Sequence, residues 1–171
     1  MTPNDPQALF YRDQLLDFQA SVYRYEGRAG QAVRRLKYER RTGLAKFLGE
    51  EMFGLANREG LLGDLVVPVP IHWTRMVSRG FNQSDLLSKE FPEGNLVLRR
   101  ARPTQAQAGL THDERLKNLS GAFEVIGNVA GKTILLIDDV VTSGQTAREC
   151  SQVLKQAGAR EVGVLAFCGE V

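Results

Sequence analysis

The stretch "ILLIDDVVTSGQTA", Ile134 to Ala147, limits the fold more than any other part of the chain. The run "KTILLID" is apolar at consecutive positions, so both of its faces need cover, as in a strand of a parallel sheet. It turns through Thr142, Ser143 and Gly144 into "GQTARECSQVLKQAG", a predicted helix with Gly158 near its C-terminal end. A second apolar strand, "EVGVLAFC", follows. Strands alternating with helices predict an α/β fold with a mostly parallel sheet. In such sheets ligands sit beyond the C-terminal strand ends, which is where Asp138, Asp139 and the small-residue turn fall.

The rest of the chain fits the same scheme. "PNDPQALFYRDQLLDF" has capping residues before an apolar-periodic run and predicts a helix. "QASVYRY" alternates as an edge strand does. "RAGQAVRRLKYERRTGLAKFLGEEMFGLANRE" reads as amphipathic helix broken near Thr42-Gly43. "DLVVPVPI" is a short buried strand ended by prolines, "NQSDLLSKEF" a short helix, and "NLVLRR" and "GAFEV" are short strands. Between the last two lies a polar loop, then a capping-box start at Thr111 with Glu114 three positions on. With 171 residues, one domain is expected, about 1–60 forming N-terminal helices and a hood and about 61–171 the core.

Composition removes several function classes. A net charge of +2 gives no bulk argument for nucleic acid. The chain has two cysteines, Cys150 and Cys168, and no Cys-x-x-Cys pair, so neither a zinc site of paired cysteines nor a disulfide framework is expected. No apolar run approaches the roughly 20 residues of a membrane span. The N-terminus does not read as a signal peptide, so a cytoplasmic location is expected.

A strand, a loop of small residues and a helix make a phosphate cradle. Thr142, Ser143 and Thr146 offer hydroxyls, and Gly144 lets backbone N–H groups come close. The helix entered at Gln145 adds unpaired N–H groups and the positive end of its dipole. Asp138 and Asp139 would repel phosphate and need donors or a cation instead. A ribose diol supplies adjacent donors, and Mg²⁺ held partly through water also suits them. Together these groups describe a ribose 5-phosphate moiety. A Walker loop would need a lysine between Asp138 and Thr146, and there is none.

The stretch resembles the signature of type I phosphoribosyltransferases, which bind phosphoribosyl pyrophosphate (PRPP). "LKYERR", "VPVPIHWTRMVSRGFNQSDLL" and "RARPTQAQAGLTHDERLKNLSGAFEV" narrow the resemblance to the ComF family, related to the GntX proteins. The similarity runs from about Val22 to the C-terminus. It implies the type I phosphoribosyltransferase fold, and a Mg²⁺-dependent transfer of a phosphoribosyl group to an unknown acceptor with loss of pyrophosphate. It also implies a link to natural competence and DNA uptake, beside a helicase-like partner. Typical members carry an N-terminal four-cysteine zinc module. Met1 to Phe18 has no cysteine, so no zinc is expected.

The resemblance gives roles to individual residues. Asp138 and Asp139 hold the ribose and water-bound Mg²⁺, and Thr142, Ser143, Gly144, Gln145 and Thr146 hold the 5-phosphate. Arg75, Arg79, Asn82 and Gln83 occupy the place of the pyrophosphate loop, where Arg79 and Asn82 are equally suited to bracing it. His72 is a candidate base, though a histidine in a loop more often serves structure. Arg102, Thr104, Gln107 and Arg115, with Asn118, match a catalytic loop that closes over PRPP, with Arg102 on the leaving pyrophosphate. Arg28, Arg34, Arg35, Lys37, Arg40, Arg41 and Lys46 form a basic stretch. It reads as a solvated helix face or a path for single-stranded DNA, while Lys37 and Tyr38 also match a family motif at the site's mouth. The alternative function is therefore a PRPP sensor or a DNA-handling protein without catalysis. The sequence leaves homo-oligomerisation open.

Overall fold

A computed structural model of the chain describes residues 14–92, 96–101 and 122–170. Its main sheet is four-stranded and parallel throughout, in the order β1 (Phe18–Arg24), β6 (Glu161–Gly169), β5 (Thr133–Val141), β2 (Leu65–Pro68). Helices α1 (Gly27–Tyr38) and α2 (Leu44–Arg58) join β1 to β2. After β2 come α3 (Trp73–Arg79) and α4 (Gln83–Ser88), then β3 (Leu98–Arg100) and β4 (Phe123–Val125), which pair antiparallel as a separate ribbon. Helix α5 (Gln145–Gln156) connects β5 to β6.

Alternation along β5 builds two cores. Ile134 and Leu136 face Ala147, Cys150 and Leu154 of α5 together with Leu98 and Phe123 of the ribbon. Leu135 and Ile137 face the other way, onto Val33 and Leu36 of α1 and Leu48, Met52 and Leu55 of α2. All four β5 side chains are fully buried, each worth roughly 1.5–3 kcal/mol against exposure. The apolar run at this point in the sequence is thus covered on both faces, as expected. The two cysteines are buried in different cores, Cys150 in the first and Cys168 in the second.

The break foreseen near Thr42-Gly43 is present: residues 39–43 separate α1 from α2, and within them Arg40 takes a left-handed φ of 52°. The described part of the first 60 residues supplies β1 at the sheet edge and α1 and α2 on one face. The helix expected over 3–18 lies outside the described residues up to 13. From Gln14 to Asp17 the chain is not helical, and Phe18 already belongs to β1. Sheet pairing overrides helical periodicity there: Asp17 N–H donates to Val162 O (3.0 Å), and Asp17 Oδ2 accepts from Val162 N–H (2.8 Å). Helix α3 was not foreseen.

Candidate functional site

The C-terminal end of β5 forms the floor of the site. Strand alternation carries Asp139 to the α1 side, where Lys37 Nζ lies 2.7 Å from its Oδ2; the Asp139 side chain is buried and that of Lys37 partly so. Asp138 points to the opposite side. Its Oδ1 accepts from the backbone N–H of Asp139 (2.8 Å) and from Ser84 Oγ on α4 (3.0 Å). Burial pushes the Asp138 carboxyl up, to about 7; the Asp139 charge adds to the rise, while Lys37 and the two donors oppose it. Burial also raises both cysteine thiols, Cys168 to about 12 beside Asp139.

The loop after β5 has the cradle's form. Gly144 sits at φ 71°, ψ 3°, a left-handed conformation that favours glycine, and α5 starts from it with no side-chain cap. The loop and the first residues of α5, with Asp138, line a small cavity of about 60 Å³, and an uncapped helix start leaves N–H groups there to be satisfied. Arg148 donates to Ser143 O and fastens the loop from behind.

A larger cleft of about 370 Å³ adjoins it, within the range of small-molecule sites. Asp138, Asp139, Thr142 and Thr146 line it, with Lys37, His72, Arg75, Gln83 and Arg100 on its walls. Arg75 is exposed at the cleft. Arg100 is half-buried over the Phe123 ring, 5.1 Å from its centroid, and burial lowers its pKa. His72 caps α3: its Nδ1 accepts from Thr74 N–H (3.2 Å). The structure thus shows His72 in a capping role, with its ring on the cleft wall.

The Arg-Gly-Phe-Asn-Gln element splits. Gln83 lines the cleft. Arg79 donates to Gln83 Oε1 (3.1 Å) and lies over the Tyr38 ring, and it is outside the cleft lining. Asn82 donates to Val69 O (3.1 Å) and accepts from Ser84 N–H (3.1 Å), so it closes the start of α4. These two braces hold α4 against the sheet end, and with it Ser84 beside Asp138. Arg102, Thr104, Gln107, Arg115 and Asn118 lie outside the described residues. Sequence reasoning missed Ser84, and Tyr25, which also lines the cleft, as parts of the site, and it named Arg100 only among the basic residues of the catalytic loop. A serine inside a short helix and a tyrosine at a strand end carry no local signal for it. Lys37 was legible only as a motif residue.

Among the described residues, no helix is long and apolar enough to cross a membrane. Residues 78–170 match the family described as "Phosphoribosyl transferase domain". Over 159 residues the chain is 35% identical to the DNA utilization protein YhgH of Salmonella typhimurium, covering 86% of this chain and 70% of that protein. Over 112 residues it is 34% identical to Competence protein F of Haemophilus influenzae, covering 60% of this chain and 49% of that protein. The chain thus spans about half the length of the Haemophilus relative. The solved glutamine PRPP amidotransferase of B. subtilis, complexed with ADP and GMP, aligns over 71% of this chain and 25% of its own, with 24% identity and a TM-score of 0.45.

Proposed function

The chain belongs to the phosphoribosyltransferase domain family, in its ComF branch, and from that premise we propose that the cleft binds PRPP with Mg²⁺ and transfers its phosphoribosyl group to an acceptor. The observation that carries the reading is the joint at Asp138 to Thr146. A carboxylate stands at the end of a buried strand, and within a few residues a glycine-started, uncapped helix N-terminus opens onto the same cleft. Ribose hydroxyls suit the first and a 5-phosphate the second.

In this reading pyrophosphate leaves C1 of the ribose, and positive charge develops there as in an oxocarbenium ion. Asp138 accepts from a ribose hydroxyl and offers negative charge near that centre. Arg75 and Arg100 stand on the cleft wall as cations for the departing pyrophosphate. Mg²⁺ would neutralise charge on the pyrophosphate oxygens. The site fits such an ion, since Mg²⁺ is usually held by one or two carboxylates plus substrate phosphates, and Asp138 presents its carboxylate to the cleft. Arg102 keeps the role on pyrophosphate that the family resemblance implies. The names of the relatives support a place in competence or DNA utilization; a helicase-like partner is what the family resemblance implies, and single-stranded DNA is the partner that the basic stretch of α1 would suit.

Calorimetry of PRPP with Mg²⁺ tests the binding. Asp138→Asn should weaken it by roughly 1.5–3 kcal/mol, the worth of a hydrogen bond to a charged group. Exchange of labelled pyrophosphate into PRPP tests the transfer. Unchanged affinity in the variant would remove Asp138 from the ribose. Tight binding without exchange or product, across a broad set of bases and amines, would favour a sensor.

A further inference from the structure

The two carboxylates at the end of β5 are neighbours in sequence but do not have equivalent surroundings. Asp139 and Lys37 are joined at 2.7 Å, with side chains 4% and 16% exposed. A largely buried pair of this kind resists the loss of either partner, because the charge left behind is poorly solvated, Asp139 above all. For Asp139 to turn toward a ligand it would have to strand Lys37, which α1 fixes in place through Val33 and Leu36 in the core. Asp138 is held differently. Both of its donors, Ser84 Oγ and the Asp139 N–H, fall on Oδ1. Asp138, Asp139 and Lys37 all line the cleft, but among the described residues no hydrogen bond falls on Asp138 Oδ2, whereas Asp139 Oδ2 is taken by Lys37.

We infer that the adjacent carboxylates divide their duties: Asp139 is taken up as the buried counter-ion of Lys37, and Asp138, steadied through one oxygen by Ser84, is the carboxylate that meets the ligand. Lys37 and Ser84 are then positioning residues. Lys37 ties α1 to the sheet and satisfies the charge of Asp139. Ser84 sets the plane of the Asp138 carboxyl so that its second oxygen faces the cleft. The inference rests on PRPP as the ligand.

Thermal unfolding without ligand, and calorimetric affinity for PRPP with Mg²⁺, read the two halves. Lys37→Met and Asp139→Asn should each lower Tm, and the double variant should recover most of the loss, because it leaves no buried charge alone. Lys37→Arg should stay near wild type in both measurements. Asp138→Asn should lose at least tenfold more PRPP affinity than Lys37→Met/Asp139→Asn. Ser84→Ala should weaken PRPP about tenfold, as for a lost hydrogen bond to a charged group, and should add nothing when Asp138 is already Asn. A Lys37→Met chain that does not fold, beside a double variant that does, is the same supporting result in stronger form. Additive losses of Tm, a double variant no better folded than the singles, or a Ser84→Ala effect that persists on Asp138→Asn would each overturn the inference while leaving PRPP binding intact. So would a double variant that binds PRPP as poorly as Asp138→Asn. A wild type that does not bind PRPP at all would overturn the functional reading, and this inference with it.

Discussion

Gly144→Ala tests the loop at the heart of the site. The residue sits at φ 71°, where an L side chain costs about 1–2 kcal/mol. The stiffer unfolded chain returns about 0.4–1 kcal/mol of that. The new Cβ would stand 2.6 Å from Gln19 Oε1 and 3.2 Å from the Arg148 guanidinium. Both are ends of flexible side chains and can withdraw. Arg148 then gives up its hydrogen bond to Ser143 O, worth about 0.5–1.5 kcal/mol. The net loss is about 1–2 kcal/mol, which in a domain of this size lowers Tm by about 2–8 °C. Thermal denaturation of wild type, Gly144→Ala and Gly144→Asn reads the effect. Asn tolerates left-handed backbone far better, so it should lose less than Ala. Affinity for ribose 5-phosphate should fall with Ala, because the first N–H groups of α5 are aimed from this residue. An alanine variant as stable as wild type, or an asparagine variant that loses more than alanine, would refute the backbone argument.

Two further predictions concern the same site. In the ligand-free protein, burial and the Asp139 charge push the Asp138 carboxyl up to about 7, whereas the unfolded chain releases that proton near the usual carboxylate value of 3.8. Stability should therefore fall as pH rises between those values and level off above, and Asp138→Asn should flatten that slope in urea titrations. Asp17, held below its ordinary range by Val162 N–H and Lys155 against the pull of burial, acts oppositely and at lower pH; a slope unaltered in Asp138→Asn would refute the assignment. Gly49→Ala places a Cβ 2.7 Å from Leu87 O, backbone that cannot step aside, so α2 and α4 must separate at a cost of about 1–3 kcal/mol. Because α4 carries Ser84, PRPP affinity should drop as well, and an unchanged affinity would show that α4 does not hold Asp138.

The elements that the sequence disclosed are those whose signal is local. β5 announced itself by consecutive apolar positions, and α5 by its periodicity and its glycine entry, so the loop between them could be located to the residue. The walls of the cleft are another matter. Lys37 and Asp139 are far apart in sequence, and only the parity of β5 with the packing of α1 brings them to 2.7 Å. Ser84 reaches Asp138 because Asn82 and Arg79 settle the start of α4, a tertiary arrangement with no mark in the string. The N-terminal misreading has the same origin. An apolar-periodic run ending in "DQLLDF" suits a helix, but Asp17 and Phe18 are claimed by hydrogen bonds to β6.

Helix α3 buries none of its residues, and Trp73 and Val77 remain 56% and 75% exposed. It is held by the His72 cap and by a hydrogen bond from Arg40 to Ser78 O. A segment with so little packing opens locally at a small fraction of the free energy needed to unfold β5. Its amides should exchange with solvent deuterium early, while those of Leu135 to Ile137 last until global unfolding. Arg75 rides on this segment, so one cationic wall of the cleft fluctuates while the carboxylate floor stays rigid. A polyanion that settles there must quiet α3, and the entropy lost in doing so subtracts from its affinity. Protection of the α3 amides on ligand addition would register that ordering directly.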